Sequence, residues 1–149
     1  MSDTYLRIIP ADPTFVPSAG CERNAVNVLI ALVPDSDVVA KHSDEVQFFD
    51  PGENFERVLC PNCRADLTDA WRLAMDRAWS TRFSNLRFKT PCCGSSSDLN
   101  QLVYEWPAGF ARFVLEVSGF NVGQFVPEQQ LHRVAESLGC PVRQLLSRV

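Results

Sequence analysis

Four cysteines carry the clearest chemistry in this sequence. Cys60-Pro61-Asn62-Cys63 spaces two thiols as a tight turn does when it aims both sulfurs at one ion, and Pro91-Cys92-Cys93-Gly94 offers a second pair about thirty residues later. Zinc takes four such thiolates tetrahedrally, at about 2.3 Å per Zn–S bond. Pro61 suits the turn, and Gly94 supplies freely rotating backbone after the second pair. The pattern predicts a structural zinc site on Cys60, Cys63, Cys92 and Cys93. Its second half reads CC rather than CxxC, so both of those thiols serve only if the backbone twists them inward together. If one does not, the fourth ligand falls to His42, His132, Cys21 or Cys140. Two other readings compete: cysteines buried as small hydrophobes, and a redox CxxC, which would want a strand-to-helix step and no second pair nearby.

Outside these residues no nucleophile, acid and base are grouped in a way that suggests catalysis. A catalytic zinc needs three protein ligands, an open position and a base. Four thiolates leave no opening; with only three, Glu53 or Glu56 beside Cys60 would be the candidate base. His132 falls between Glu128 and Glu136, each four residues away, which reads as a solvated charge cluster on a helix rather than a metal site. The expectation is a protein that is not an enzyme.

Length and composition set the class. At 149 residues, with 46% hydrophobic and 21% charged content, the chain fits a single domain, 1–149, with a core of its own. The start, Met1 to Arg7, lacks the basic-then-apolar pattern of an export signal, and the apolar run from Ala25 to Val33 is too short to cross a bilayer. Six cysteines without an export signal point to a reducing cytoplasm and to metal rather than disulfides. The net charge of −4 is unevenly spread: Asp35, Asp37, Asp44, Glu45, Asp50, Glu53 and Glu56 face only Lys41, so that segment holds −6 and the rest of the chain +2. Such a stretch repels phosphate backbones and suits a basic protein partner, unless it is merely a solvated loop.

Several elements must hold the cysteines in place. Tyr5–Ile9 reads as a strand ended by Pro10, and Ser18 as the N-cap of a helix running to Val33, with Cys21, Ala25, Val28, Leu29 and Leu32 on its inner face. Two short strands, 45–49 and 55–59, flank Asp50-Pro51-Gly52-Glu53-Asn54, a turn-forming sequence, and the second strand delivers the chain into Cys60. Asp66 caps a helix to Trp79 whose buried stripe is Leu67, Trp71, Ala74, Met75 and Ala78. A half-buried strand over 86–90 ends at the second cysteine pair. Leu102–Trp106 and Phe110–Val117 then read as a hairpin around Pro107-Ala108-Gly109, with Trp106 either core or an exposed anchor at its tip. Residues 119–126 read as a loop. Pro127 opens a helix closed by Gly139, and Cys140-Pro141 opens a last short helix with Val142, Leu145 and Leu146 apolar. The predicted class is α+β: an antiparallel or mixed sheet in the ferredoxin-like order β-α-β-β-α-β, a hairpin, helices packed on the sheet, and two C-terminal helices.

Tyr5-Leu-Arg-Ile-Ile-Pro10, Gly52-Glu-Asn-Phe-Glu56, Cys60-Pro-Asn-Cys63, Thr90-Pro-Cys-Cys-Gly94 and Glu105-Trp-Pro-Ala-Gly-Phe-Ala-Arg-Phe113 together resemble a family of small, zinc-ribbon-like bacterial proteins without an assigned activity. Some members carry a sugar-transporter ATPase label. This chain contains no G-x-x-x-x-G-K-[ST] loop to cradle a nucleotide's phosphates, so the label finds no support here. The resemblance implies a bacterial cytosolic protein. The functional expectation is a zinc-stabilised protein-binding module, such as an immunity- or antitoxin-type inhibitor or an accessory subunit, using its acidic face. The alternative is nucleic-acid binding through the zinc ribbon and a helix-turn-helix-like ending with Arg143 and Arg148.

Overall fold

In the computed structural model, which describes residues 3–119 and 124–149, the elements run β1 (Thr4–Pro10), α1 (Ala19–Leu32), β2 (Asp37–Phe49), β3 (Arg57–Leu59), α2 (Thr68–Ser80), β4 (Arg87–Lys89), β5 (Ser96–Asp98), β6 (Val103–Glu105), β7 (Gly109–Ser118), α3 (Glu128–Leu138) and β8 (Val142–Arg148). Four strands form one antiparallel sheet in the order β2-β7-β1-β8. Two small ribbons, β3 with β6 and β4 with β5, make up a separate lobe with α2.

Helices α1 and α3 form where capping and periodicity place them, while α2 has Leu67 at its N-cap, without a side-chain bond, instead of the expected Asp66. Ser18 Oγ accepts a hydrogen bond from the Cys21 N–H and starts α1. Gly139 turns left-handed (φ 88°) and ends α3, donating its N–H to the Ala135 carbonyl. Asp66 Oδ1 accepts from both the N–H and the hydroxyl of Thr68, and these bonds hold the Asp66 carboxyl below its usual range. Helices α1 and α3 cover one face of the sheet: Ala25, Leu29, Leu131, Val134 and Leu138 pack on Leu6, Ile8, Phe113, Leu115, Val117 and Leu146. The second core lies under α2, where Val58, Cys60, Leu67, Leu99 and Tyr104 meet Val46 and Phe110 from the sheet.

Three expectations about pairing are corrected. The ferredoxin-like order does not describe the sheet, because β3 and β4 leave it for the ribbons; segments 45–49 and 55–59 are therefore not a hairpin. The 102–106 strand pairs with β3, while the strand after it, β7, lies at the centre of the large sheet between β1 and β2. The expected final helix is a strand: β8 runs antiparallel to β1 from Pro10↔Val142 to Thr4↔Arg148, so only one helix, α3, stands near the end of the chain. Val142, Leu145 and Leu146 have helical spacing, but on a strand Val142 and Leu146 meet the α1–α3 core while Leu145 meets Ile9, Ala111 and Val114 on the other face. A strand buried on both faces loses its alternation, and its pattern then imitates a helix. Of the loop expected over 119–126, residues 120–123 lie outside the described residues.

The 50–54 turn does not join two paired strands either. It docks along β8: Glu53 N–H donates to the Arg148 carbonyl (2.7 Å), the Arg148 N–H to the Pro51 carbonyl (3.0 Å), and Asn54 Nδ2 to the Leu146 carbonyl (3.3 Å). Gly52 makes this approach possible. Its φ is +62°, and a Cβ there would stand 2.1 Å from the Arg148 carbonyl oxygen.

One buried amide joins the two lobes. Asn100, two residues beyond Asp98 at the end of β5, accepts at Oδ1 from the Phe110 N–H (3.0 Å) and from Arg143 Nη1 (3.3 Å), and its Nδ2 donates to the Ala11 carbonyl (3.1 Å). Arg143 Nη1 also donates to the Asn100 carbonyl at 2.7 Å. Asn100→Ala would leave the Phe110 donor and the Ala11 acceptor buried and unpaired, a loss of roughly 3 kcal/mol at about 1–3 kcal/mol per group. A urea titration of Asn100→Ala should show that loss of stability, and stability equal to the parent's would remove the amide from this role.

Candidate metal centre

Two loops of nearly identical backbone face each other at the tip of the small lobe. The first follows β3, and the second connects β4 to β5. In the first, the Cys60 N–H donates to the Ala65 carbonyl (2.9 Å) and the Arg64 N–H to the Cys60 carbonyl (3.0 Å). In the second, the Thr90 N–H donates to the Ser95 carbonyl (2.9 Å) and the Gly94 N–H to the Thr90 carbonyl (2.8 Å). Arg64 and Gly94 hold the same left-handed position, φ 65° and 70°. The loops thus align Cys60-Pro61-Asn62-Cys63-Arg64 with Thr90-Pro91-Cys92-Cys93-Gly94.

This equivalence explains the unusual CC. Thr90 stands where the first knuckle has Cys60, and Cys92 stands where it has Asn62. The second loop has moved its first sulfur two places along an unchanged turn. The side chains left over become supports. Thr90 Oγ1 lies 3.4 Å from Cys93 Sγ, and Asn62 Nδ2 donates to Cys93 Sγ (3.4 Å) and to Ser95 Oγ (3.1 Å).

The four sulfurs converge. Cys63 and Cys92 are 3.3 Å apart, Cys60 and Cys93 3.8 Å, Cys92 and Cys93 3.9 Å, and all four lie within 4.8 Å of one another. Cys60 is buried, and the other three reach the surface. This cluster could hold a metal ion. Both Cys92 and Cys93 belong to it; none of the reserve ligands Cys21, Cys140, His42 and His132 does. Cys21 and Cys140 lie half-buried. His132 is exposed, with its Nε2 2.9 Å from Glu136, as expected of a solvated pair.

The hydrogen bonds around the cluster favour charge on sulfur. Cys93 is drawn down to about 5 by Asn62, then by Ser95 and Thr90. The Cys63 N–H, and after it the Asn62 N–H, lower Cys60. Desolvation beside its neighbours, with their hydrogen bonds, pushes Cys92 up to about 12. Neighbouring sulfurs are thus pushed in opposite directions, and a cation in place of their protons would offset the crowding.

The seven acidic residues are all exposed, but they do not gather into one patch. Asp37 pairs with Ser118 at one end of β7, and Phe49, just before Asp50, pairs with Gly109 at the other, about 30 Å away at about 3.3 Å per residue. Asp44 and Glu45 sit where the β2–β7 register shifts, between His42 and Gln47. Glu53 meets Arg148 at 3.6 Å, and Asp50 Oδ1 accepts from the Gly52 N–H. Asp44 and Glu45 instead rim a cleft of about 560 Å³ between the lobes, opposite Arg82, Arg87 and Arg112. That cleft was not legible in the sequence, since its walls come from segments far apart along the chain. Trp106 is 39% exposed and stacks against Phe125, with ring centroids 6.4 Å apart.

Comparison with family models, curated proteins and solved structures finds no match for this chain. Among the described residues no helix is long and apolar enough to cross a membrane.

Arg64 occupies a left-handed position that Gly94 fills in the sister loop, and left-handed backbone costs an ordinary residue about 1 kcal/mol. Arg64→Gly should therefore leave the protein as stable as the parent or more so in thermal unfolding, whereas Gly94→Ala should lower stability by about 1 kcal/mol, although a Cβ there meets nothing closer than Lys89 Cε at 3.8 Å.

Proposed function

We propose that the cluster holds one zinc ion as a structural cage and that the protein is a non-catalytic recognition module. The observation that carries this reading is the convergence of four sulfurs within 4.8 Å of one another. Zn–S bonds of about 2.3 Å set sulfurs about 3.8 Å apart, and three of the sulfur pairs here span 3.3 to 3.9 Å before any ion pulls them into register. Four thiolates leave no open position for water and spread their charge onto the metal, which suits a structural ion. The alternative of three cysteines with Glu53 or Glu56 as base loses its support, since the second loop supplies two sulfurs.

On this reading the partner is a protein with a basic surface. Strand β2 supports that choice: it is an edge of the large sheet and carries Asp37, Asp44 and Glu45 exposed, with Asp35 just before it. An edge strand offers a free row of backbone donors and acceptors to another chain, and its acids would select a basic one. An inhibitor that covers a basic active site and an accessory subunit would both use this surface. Nucleic-acid binding through the C-terminal segment is not favoured, because the segment that would have been a recognition helix is β8.

Two measurements test the proposal. Elemental analysis of chelator-free protein should return one zinc per chain, and Cys92→Ser should lower both the zinc content and the melting temperature; protein that is folded, stable and metal-free would overturn the cage. For the partner surface, affinity capture from the native cells with the parent and with Asp37→Lys/Asp44→Lys/Glu45→Lys should recover a basic protein with the parent alone. Equal recovery with both would remove the acidic edge from the account.

A further inference from the structure

The four sulfurs of the cluster are not equivalent. Cys60 is buried, and the N–H groups of Asn62 and Cys63 point at its Sγ from 3.4 and 3.5 Å. Cys93 takes the Asn62 side-chain amide at 3.4 Å, with the hydroxyl oxygens of Ser95 and Thr90 at 3.2 and 3.4 Å. Donors fixed by the turns thus gather on these two. Cys63 and Cys92 are exposed, and their sulfurs stand 3.3 Å apart. The Cys60–Cys93 and Cys92–Cys93 contacts are longer, at 3.8 and 3.9 Å. The cluster therefore has a supported inner pair, Cys60 with Cys93, and an open outer pair, Cys63 with Cys92. Each pair crosses from one loop to the other. Exposure at a loop tip is partly a matter of position; the sorting of donors onto the inner pair is not.

Covalent geometry limits how these sulfurs can join. A disulfide is about 2.0 Å long, so Cys63 and Cys92 have about 1.3 Å left to close. Cys92 and Cys93 are neighbours across a trans peptide, which sets their Cα atoms about 3.8 Å apart, short of the roughly 4.4–6.8 Å that a relaxed disulfide spans. A bond within the first loop would need Cys60, the one buried sulfur. Oxidation follows thiolate character and exposure, and it stops at a disulfide when a second sulfur stands ready to resolve the first. A sulfur held by a cation is held as thiolate. The outer pair meets both conditions.

We infer that Cys63 and Cys92 are a peroxide-reactive pair that closes into a disulfide between the two loops, with loss of the metal. This rests on the zinc-cage reading and gives that site an oxidised state. One thiolate of the pair attacks a peroxide oxygen; the O–O bond breaks, hydroxide leaves, and the sulfur becomes a sulfenic acid. The other thiolate attacks that sulfur, the S–O bond breaks, and a second hydroxide leaves as the S–S bond forms. The two sulfurs give up two electrons, hydrogen peroxide accepts them, and both hydroxides take up protons to become water. Cys60 and Cys93 then remain as ligands, too few for a tetrahedral site. The new bond joins residues 29 positions apart, across the span the ion had closed, so the lobe keeps a staple in another form.

The test treats the zinc-loaded full chain with hydrogen peroxide. It reads the zinc freed to a chromogenic chelator, the intact mass, and the linked peptides after alkylation of free thiols and digestion. One zinc should be freed for each Cys63–Cys92 link, with a mass two hydrogens below that of the reduced chain. A thiol reductant with added zinc should reverse both changes. In chelator, the oxidised chain should melt at a higher temperature than the reduced one, because only the oxidised chain still has its loops tied. Zinc retained under peroxide, sulfinic acid in place of the link, or a map dominated by Cys60–Cys63, Cys92–Cys93 or links between chains overturns the inference. So does an oxidised chain that melts no higher than the reduced one. A chain purified without zinc overturns the cage instead, and the peptide map of that chain after peroxide still decides whether Cys63 and Cys92 are the reactive pair.

Discussion

The tip of the small lobe is built around four sulfur atoms that two loops bring within 4.8 Å of one another. Two copies of one turn, each begun by a proline and completed by a left-handed residue, present the sulfurs. The hydrogen bonds on Cys60 and Cys93 come from backbone and side chains that the turns themselves fix. The strands here are short, since β3, β4, β5 and β6 have three residues each and ribbons of that length do not persist in water unaided; the core under α2 and the sulfur cluster hold them from either end. An ion that ties the ends of two ribbons together removes much of the freedom of the intervening chain, α2 included, from the unfolded state.

The parts of the structure that could be read in the sequence are those governed by local chemistry. The Ser18 cap, the Gly139 stop, the stripes of α1, α2 and α3 and the first cysteine turn depend on neighbours within a few residues. What could not be read depends on distant partners. Nothing near Leu102–Trp106 indicates that this strand pairs with residues 57–59 rather than with the next strand, and β8 was obscured by being buried on both faces. Asn100 was missed for the same reason. Its partners Ala11, Phe110 and Arg143 come from three separate stretches, and in the sequence it is one more polar residue in a turn. The alignment of Thr90-Pro91-Cys92-Cys93 with Cys60-Pro61-Asn62-Cys63 leaves a trace in the two prolines, but the displaced sulfur conceals it.

Charge is divided between the lobes in a way the net value of −4 hides. The acids are strung along β2 and the turn after it, while Arg77, Arg87 and Lys89 line a groove between α2 and β4. The two populations meet only at the cleft between the lobes, where Asp44 and Glu45 face Arg82, Arg87 and Arg112. Such an arrangement gives the molecule a direction, and a charged partner would approach it from one side rather than the other.

The sheet's two margins are treated differently, and this bears on self-association. Along β8 the margin is already taken at Leu146 and Arg148 by the segment that Gly52 allows to lie so close. Growth of the large sheet by adding strands edge to edge needs two open margins, and this contact blocks part of one of them. Copy-to-copy pairing through β2 on both sides would make a closed, two-fold couple. The carboxylates along β2 would meet their own kind across such a couple and hold it apart.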